Sequence, residues 1–161
     1  WWKKQNPDLD QVKLELVDIW HFGLSEMLRS GPVDEAIAAQ LSAIEAADLS
    51  ASVDVRAEHF RLAIEQLAAA CLATRSFDLS SFKLAMASLP MDLPELYSMY
   101  IGKNILNRFR QNNGYKSGEY RKLWQGREDN EHLVELLDEL SDVVEGLPDK
   151  LYAGLEARYT A

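Results

Sequence analysis

Apolar residues recur along this chain at intervals of three and four, the spacing that lines one face of an α-helix, with no credible run of the alternation a half-buried strand requires. Val12, Leu16, Ile19 and Trp20 form the first such stripe. It predicts a helix over about 8–29 that opens behind the breaker Pro7 and stops at Ser30-Gly31-Pro32, with Asp8 and Gln11 in a capping-box pattern. An Ala-, Leu- and Glu-rich helix follows over about 33–48. The next, over 53–73, carries Phe60, Ala63, Leu67, Ala70 and Cys71 at helical spacing. A short helix is expected over 78–89. Another, over 92–113, starts at Asp92 with Glu95 as its capping partner and Pro94 in the tolerant first turn, and ends at Gly114. Residues 115–128, with Gly118 and Gly126 among polar and aromatic side chains, read as a loop that orders over a ligand. Helices over 129–145 and 148–158 complete the chain, and no internal repeat or low-complexity linker interrupts it. The class is all-α.

Composition narrows the picture. At 161 residues, 47% hydrophobic and 27% charged, the chain has room for one domain with a core and is far from a disordered composition. The single cysteine, Cys71, excludes an internal disulfide framework and fits a reducing compartment, so the expected location is cytoplasmic. No apolar run approaches the ~18 residues of a membrane span. The opening Trp1-Trp2-Lys3-Lys4 lacks an initiator Met, and the chain is read as part of a longer one.

Charge is uneven. The net −9 speaks against wrapping nucleic acid. Yet residues 101–127 hold Lys103, Arg108, Arg110, Lys116, Arg121, Lys122 and Arg127 against Glu119 alone, a local +6 that leaves −15 for the remainder. A short basic island in an acidic chain asks for a compact anion such as a phosphate chain.

Two places could carry chemistry. Glu15 and Asp18 are three apart on the first helix and share a face, with His21 and Phe22 one turn further on. Such a pair can hold one edge of a hard cation such as Mg²⁺, although a solvated helix face is the commoner use of acids at this spacing. A helical His beside Trp20 and Phe22 is, equally, more often packed than a ligand. In the basic island, Lys103, Asn107 and Arg110 fall at i, i+4 and i+7, a row of cation, amide and guanidinium suited to adjacent phosphate oxygens, with Arg110 able to bind two at once. Tyr115 and Lys122 follow on the glycine-containing loop, where they could complete the grip. The bland alternative is a basic solvated face with aromatic loop anchors. The acids of 131–145 (Glu131, Glu135, Asp138, Glu139, Asp142 and Glu145) accompany an ordinary leucine stripe and read as solvent-facing.

The run from Tyr100 to Asn130, YIGKNILNRFRQNNGYKSGEYRKLWQGREDN, closely resembles the C-terminal signature of the dimeric dUTP pyrophosphatases, in the all-α nucleoside triphosphate pyrophosphohydrolase superfamily. Glu15-Leu-Val-Asp-Ile-Trp-His-Phe22 resembles that family's second carboxylate motif, and the Trp-Trp-Lys-Lys opening sits where the family has a Trp-rich turn. The resemblance implies a helical bundle with a rigid core and a mobile part, closing over a deoxyuridine nucleotide at a homodimer interface. By likeness, Glu15 and Asp18 would be Mg²⁺ ligands, and His21 and Phe22 would line the deoxyuridine pocket. Lys103, Asn107, Arg110, Tyr115 and Lys122 would contact phosphates, and Asn130 would lie near the base or the closed loop. The implied reaction takes dUTP, and usually dUDP, to dUMP, with water attacking the β-phosphorus.

The family's first motif, E-x-x-E, is expected just upstream of Trp1 together with the general base. The chain as written would then hold about half the expected metal ligands, bind Mg²⁺-nucleotide weakly or not at all, and turn it over negligibly. Two other readings stay open. One is a related house-cleaning pyrophosphatase with another base preference; the other is a degenerate helical interaction module in which Lys103, Asn107 and Arg110 are surface charge. The Ala- and Leu-rich helices of 33–73 read as bundle and subunit packing, because small side chains let helices approach closely.

Overall fold

The stripe of the first helix forms as its spacing demands: α1 (Leu9–Ser30) buries Leu16 and Trp20, with Leu14 and Val17 beside them. The structure, a computed structural model, describes residues 9–31, 35–42, 50–143 and 145–160 and falls into two units, Trp1–Leu96 and Tyr97–Ala161. Among the described residues the elements are seven helices and one two-stranded hairpin, an all-α bundle architecture. No helix among them is long and apolar enough to cross a membrane.

In the first unit α1 is followed by α2 (Glu35–Ser42), α3 (Val53–Thr74), α4 (Leu79–Ser88) and the first turn of α5 (Leu93–Asn112). Local chemistry sets the ends. Ser52 accepts from the amide of Val55 (3.4 Å) to start α3, Asp78 from Ser81 (3.0 Å) to start α4, and Asp92 from Glu95 (2.8 Å) to start α5. The carboxylate of Glu95 turns to a different task. It takes the ammonium of Lys13 on α1 at 2.6 Å, an ion pair across 82 residues of chain.

Packing against α1 is aromatic. Trp20 stacks on Phe82 of α4 at 5.3 Å, and Phe77, in the α3–α4 connection, meets both rings. Ala63 and Leu67 of α3 and Ala85 and Met86 of α4 complete this core. The Asp8 cap, the opening Trp1–Lys4 and residues 33–34 and 43–48 of the expected second helix lie outside the described residues.

The second unit holds the rest of α5, then β1 (Leu123–Trp124), β2 (Arg127–Glu128), α6 (Asp129–Glu139) and α7 (Leu147–Thr160). The hairpin corrects the strand-free reading of the sequence. Leu123 pairs with Glu128 and Trp124 with Arg127, antiparallel, around Gln125 and Gly126. Both turn residues have positive φ, 52° and 82°, the left-handed pair that lets a two-residue turn follow the strand twist. Two paired residues per strand are too few for alternation to show in a sequence. What holds the hairpin is Trp124, 3% exposed, packed among Phe109, Tyr159 and a stacked His132.

Phe109, 1% exposed, is the hub of this unit: the rings of Tyr120, Trp124, Tyr152 and Tyr159 all meet it edge-on at 5.4–6.4 Å. Helix α6 ends at Glu139, six residues short of its expected limit. Asp138, Glu139 and Asp142 would crowd negative charge at a helix C-terminus, where the backbone dipole already opposes it.

Candidate active site

The acidic pair lies on α1, in the first unit. Glu15 is exposed and accepts from the amide of Gln11 (2.7 Å), while Asp18, one turn on, is half-buried. Both offer hard oxygen donors, the chemistry that Mg²⁺ selects. Among the described residues no group of three or more acidic, His or Cys side chains gathers at one point, so Glu15 and Asp18 stand as a pair and not as part of a larger cluster.

His21 donates from Nδ1 to the carbonyl of Val17 (2.8 Å), which fixes its ring against the preceding turn of α1. Phe22 is 79% exposed and forms one wall of a cleft of about 410 Å³. Ile19 and Gly23 of α1, Leu67 and Cys71 of α3, and Phe77 line the rest. The cleft is open and mostly apolar, with Glu26, Arg75 and Ser76 also on its lining.

The basic row lies on α5 in the second unit and is less uniform than its spacing suggests. Lys103 is 4% exposed, on the buried side of the helix with Leu106, whereas Asn107 is exposed. Arg110 is held inside the unit. Its Nε and Nη2 donate to the two carboxylate oxygens of Asp129, each at 2.8 Å. Nη2 also reaches Asn130 Oδ1 (3.3 Å), and Nη1 points to Asn107 Oδ1 (3.2 Å). The forked face of the guanidinium, expected to clasp two phosphate oxygens, is thus committed to Asp129. The sequence reading gave no sign of this partner; Nη1, beside Asn107, is the edge not engaged by Asp129 or Asn130.

Asp129 is fully buried and serves three neighbours. Besides Arg110, its Oδ2 accepts from the hydroxyl of Tyr120 (2.8 Å), and its backbone amide donates to the carbonyl of Lys122 (3.0 Å). Burial favours the uncharged form of Arg110, but the hydrogen bonds and charge of Asp129 outweigh it and hold the guanidinium above its ordinary pKa. Burial, reinforced by Asp129, likewise pushes the Tyr120 hydroxyl far up, so it stays a donor.

Of the remaining expected contacts, Tyr115 is exposed and tilts toward Tyr120 at 6.1 Å, and Lys122 pairs with Glu128 across the hairpin at 2.9 Å. Asn130 is buried beside Asp129 at the start of α6. Sequence reading named Arg110 and Asn130 as candidates but not their neighbours Asp129, which it took as a helix start, and Tyr120, which it took as one loop aromatic among several. Asp129 lies between Glu128 and Glu131, so its charge gave no sign of a separate role.

Comparison with known proteins reaches part of these residues, up to Tyr115. A search of curated proteins finds no match to the chain. The family model described as dUTPase matches residues 1–115, which takes in the α1 carboxylates, the Phe22 cleft and the whole of α5 as far as Tyr115. With more than two thirds of the residues matched and a helical architecture to go with them, the chain belongs to the dUTPase family, hydrolases of dUTP.

Proposed function

We propose that the enzyme hydrolyses dUTP, and also dUDP, to dUMP in a Mg²⁺-dependent reaction, working as a homodimer inside the cell. The family match carries the dUTP assignment, and the oxygen-donor pair Glu15/Asp18 within the matched stretch supports the metal dependence. Glu15 and Asp18 would hold Mg²⁺. When bound, the cation supplies Lewis-acid charge at the phosphate oxygens.

The other roles belong to the chain itself. Phe22, on the wall of its mostly apolar cleft, offers a face for the deoxyuridine ring, with His21 on the same turn of α1. Lys103, Asn107 and the Nη1 edge of Arg110 offset negative charge on the phosphates, with Tyr115 and Lys122 adding to them from the segment after α5 and Asn130 steadying the base side. Water attacks the β-phosphorus, the Pα–O–Pβ bridge breaks, and the bridging oxygen leaves on dUMP. The incoming oxygen therefore ends in pyrophosphate.

Turnover of dUTP, dUDP, dCTP, dTTP and UTP by the protein with its native upstream helix, across a Mg²⁺ titration, tests this reading. Expected are a preference for deoxyuridine nucleotides, loss of turnover with chelator, ¹⁸O from labelled water in pyrophosphate rather than dUMP, and a rise of about tenfold or more in the Mg²⁺ requirement for Glu15→Gln and Asp18→Asn. Turnover indifferent to Mg²⁺ or to both substitutions would overturn the metal assignment. A preference for dCTP would overturn the base assignment.

A further inference from the structure

We propose that Asp129 is the positioning residue for Arg110, holding the guanidinium so that its Nη1 edge, beside Asn107, is the one presented to substrate phosphate. The inference rests on the reading of Arg110 as a phosphate contact and goes beyond it. A guanidinium has five N–H donors in a rigid fork, and a free arginine side chain samples many rotamers. Here Nε and Nη2 are both bound to one carboxylate at 2.8 Å, a bidentate arrangement that fixes the plane and rotation of the group.

The carboxylate is itself fixed. It is 0% exposed, its Oδ2 is shared with the Tyr120 hydroxyl, and its backbone amide is tied to Lys122. A substrate phosphate could instead displace Asp129 and take the fork for itself. That exchange would strand a wholly buried carboxylate without its cation, which costs more than one phosphate contact returns. The pair therefore stays closed when nucleotide binds, and Asp129 acts through Arg110 without touching the substrate.

Calorimetric binding of Mg²⁺-α,β-imido-dUTP and of deoxyuridine to the wild type and to Arg110→Ala, Asp129→Asn and the double variant tests this. Expected are losses of about tenfold or more for the imido-triphosphate with each single substitution, a double variant no weaker than Arg110→Ala, and unchanged affinity for deoxyuridine. That phosphate-selective, non-additive pattern is not what a general loss of structure produces. Imido-triphosphate bound as tightly or more tightly by Asp129→Asn, while Arg110→Ala weakens it, overturns the inference and makes Asp129 a competitor. Unchanged affinity in Arg110→Ala overturns the phosphate reading of Arg110, and this inference with it.

Should Asp129→Asn fail to fold, the Arg110 Nε–H resonance of the wild type and of Tyr120→Phe decides the matter. Slow solvent exchange in the wild type that quickens in the variant supports the arrangement; exchange at the rate of a free arginine in the wild type overturns it.

Discussion

Gly23 and Phe77 meet so closely that a Cβ at residue 23 would stand 2.5 Å from the Phe77 ring. Trp20 and Phe82 flank the ring at 6.3 and 5.4 Å, so it can retreat only toward the cleft. Alanine in place of a mid-helix glycine normally gains about 1 kcal/mol, whereas overpacking a core costs about 1–3 kcal/mol. Overpacking wins here: Gly23→Ala is expected to lower unfolding stability by about 1–2 kcal/mol in urea. Adding Phe77→Leu should recover part of the loss, and a Gly23→Ala protein as stable as its parent would show that the ring yields.

Phe109 supports the second unit from its centre. Truncation to Ala removes the ring on which Tyr120, Trp124, Tyr152 and Tyr159 converge and leaves a cavity that four interlocked rings cannot close. The expected cost is about 3–5 kcal/mol, with loss of near-ultraviolet circular dichroism from the tyrosines and Trp124. Phe109→Leu, which refills part of the volume, should cost less.

Lys122 separates binding from stability. Its pair with Glu128 joins two side chains that are about half exposed, and such pairs contribute about 0–1 kcal/mol. Lys122→Ala should therefore melt within a few degrees of the wild type while losing affinity for Mg²⁺-α,β-imido-dUTP by about tenfold. Unaltered affinity would remove Lys122 from the phosphate contacts.

Acid should loosen the α6–α7 pairing through Glu135. This carboxylate accepts from Arg127 and from Arg158 of α7 (2.8 Å), while Arg158 also binds Glu139 (2.7 Å). The hydrogen bond from Arg127, with a smaller share from Arg158, lowers its pKa to about 2 from an ordinary 4.5. A carboxylate depressed on folding stabilises above its unfolded pKa, and that contribution fades as pH falls through the folded value. The stability it confers is thus present at neutral pH and lost between about 4.5 and 2. Glu135→Gln should flatten the pH dependence of unfolding in that window and leave other regions of the curve in place.

Much of this protein was legible in its chain because helices are local. The spacing of Leu16 and Trp20, the start of α5 behind Asp92 and the stop at Gly114 each involve residues within about four positions of one another and form as read, although Glu95 turns its carboxylate to Lys13 rather than back to the cap. The hairpin escaped because its strands are two residues long and its signal, Gln125-Gly126, lacks the usual Asn or Asp before the glycine. Asp129 escaped for another reason. As a residue at the head of a helix it fits so well that nothing in the sequence hints at a second duty.

What the sequence by itself determined is therefore the all-α class, most helix limits, and which residue types could meet a metal and a phosphate chain. Tertiary structure alone decided that Lys103 is buried, that Phe22 borders a cleft with Phe77, and that Arg110 spends its fork on Asp129. The division follows from range. Helix periodicity and capping are settled over one turn of backbone, but Arg110 and Asp129 are 19 residues apart and Lys13 and Glu95 are 82 apart. Which edge of a guanidinium stays open depends on where a distant carboxylate is carried when the chain folds back, and no local pattern encodes that.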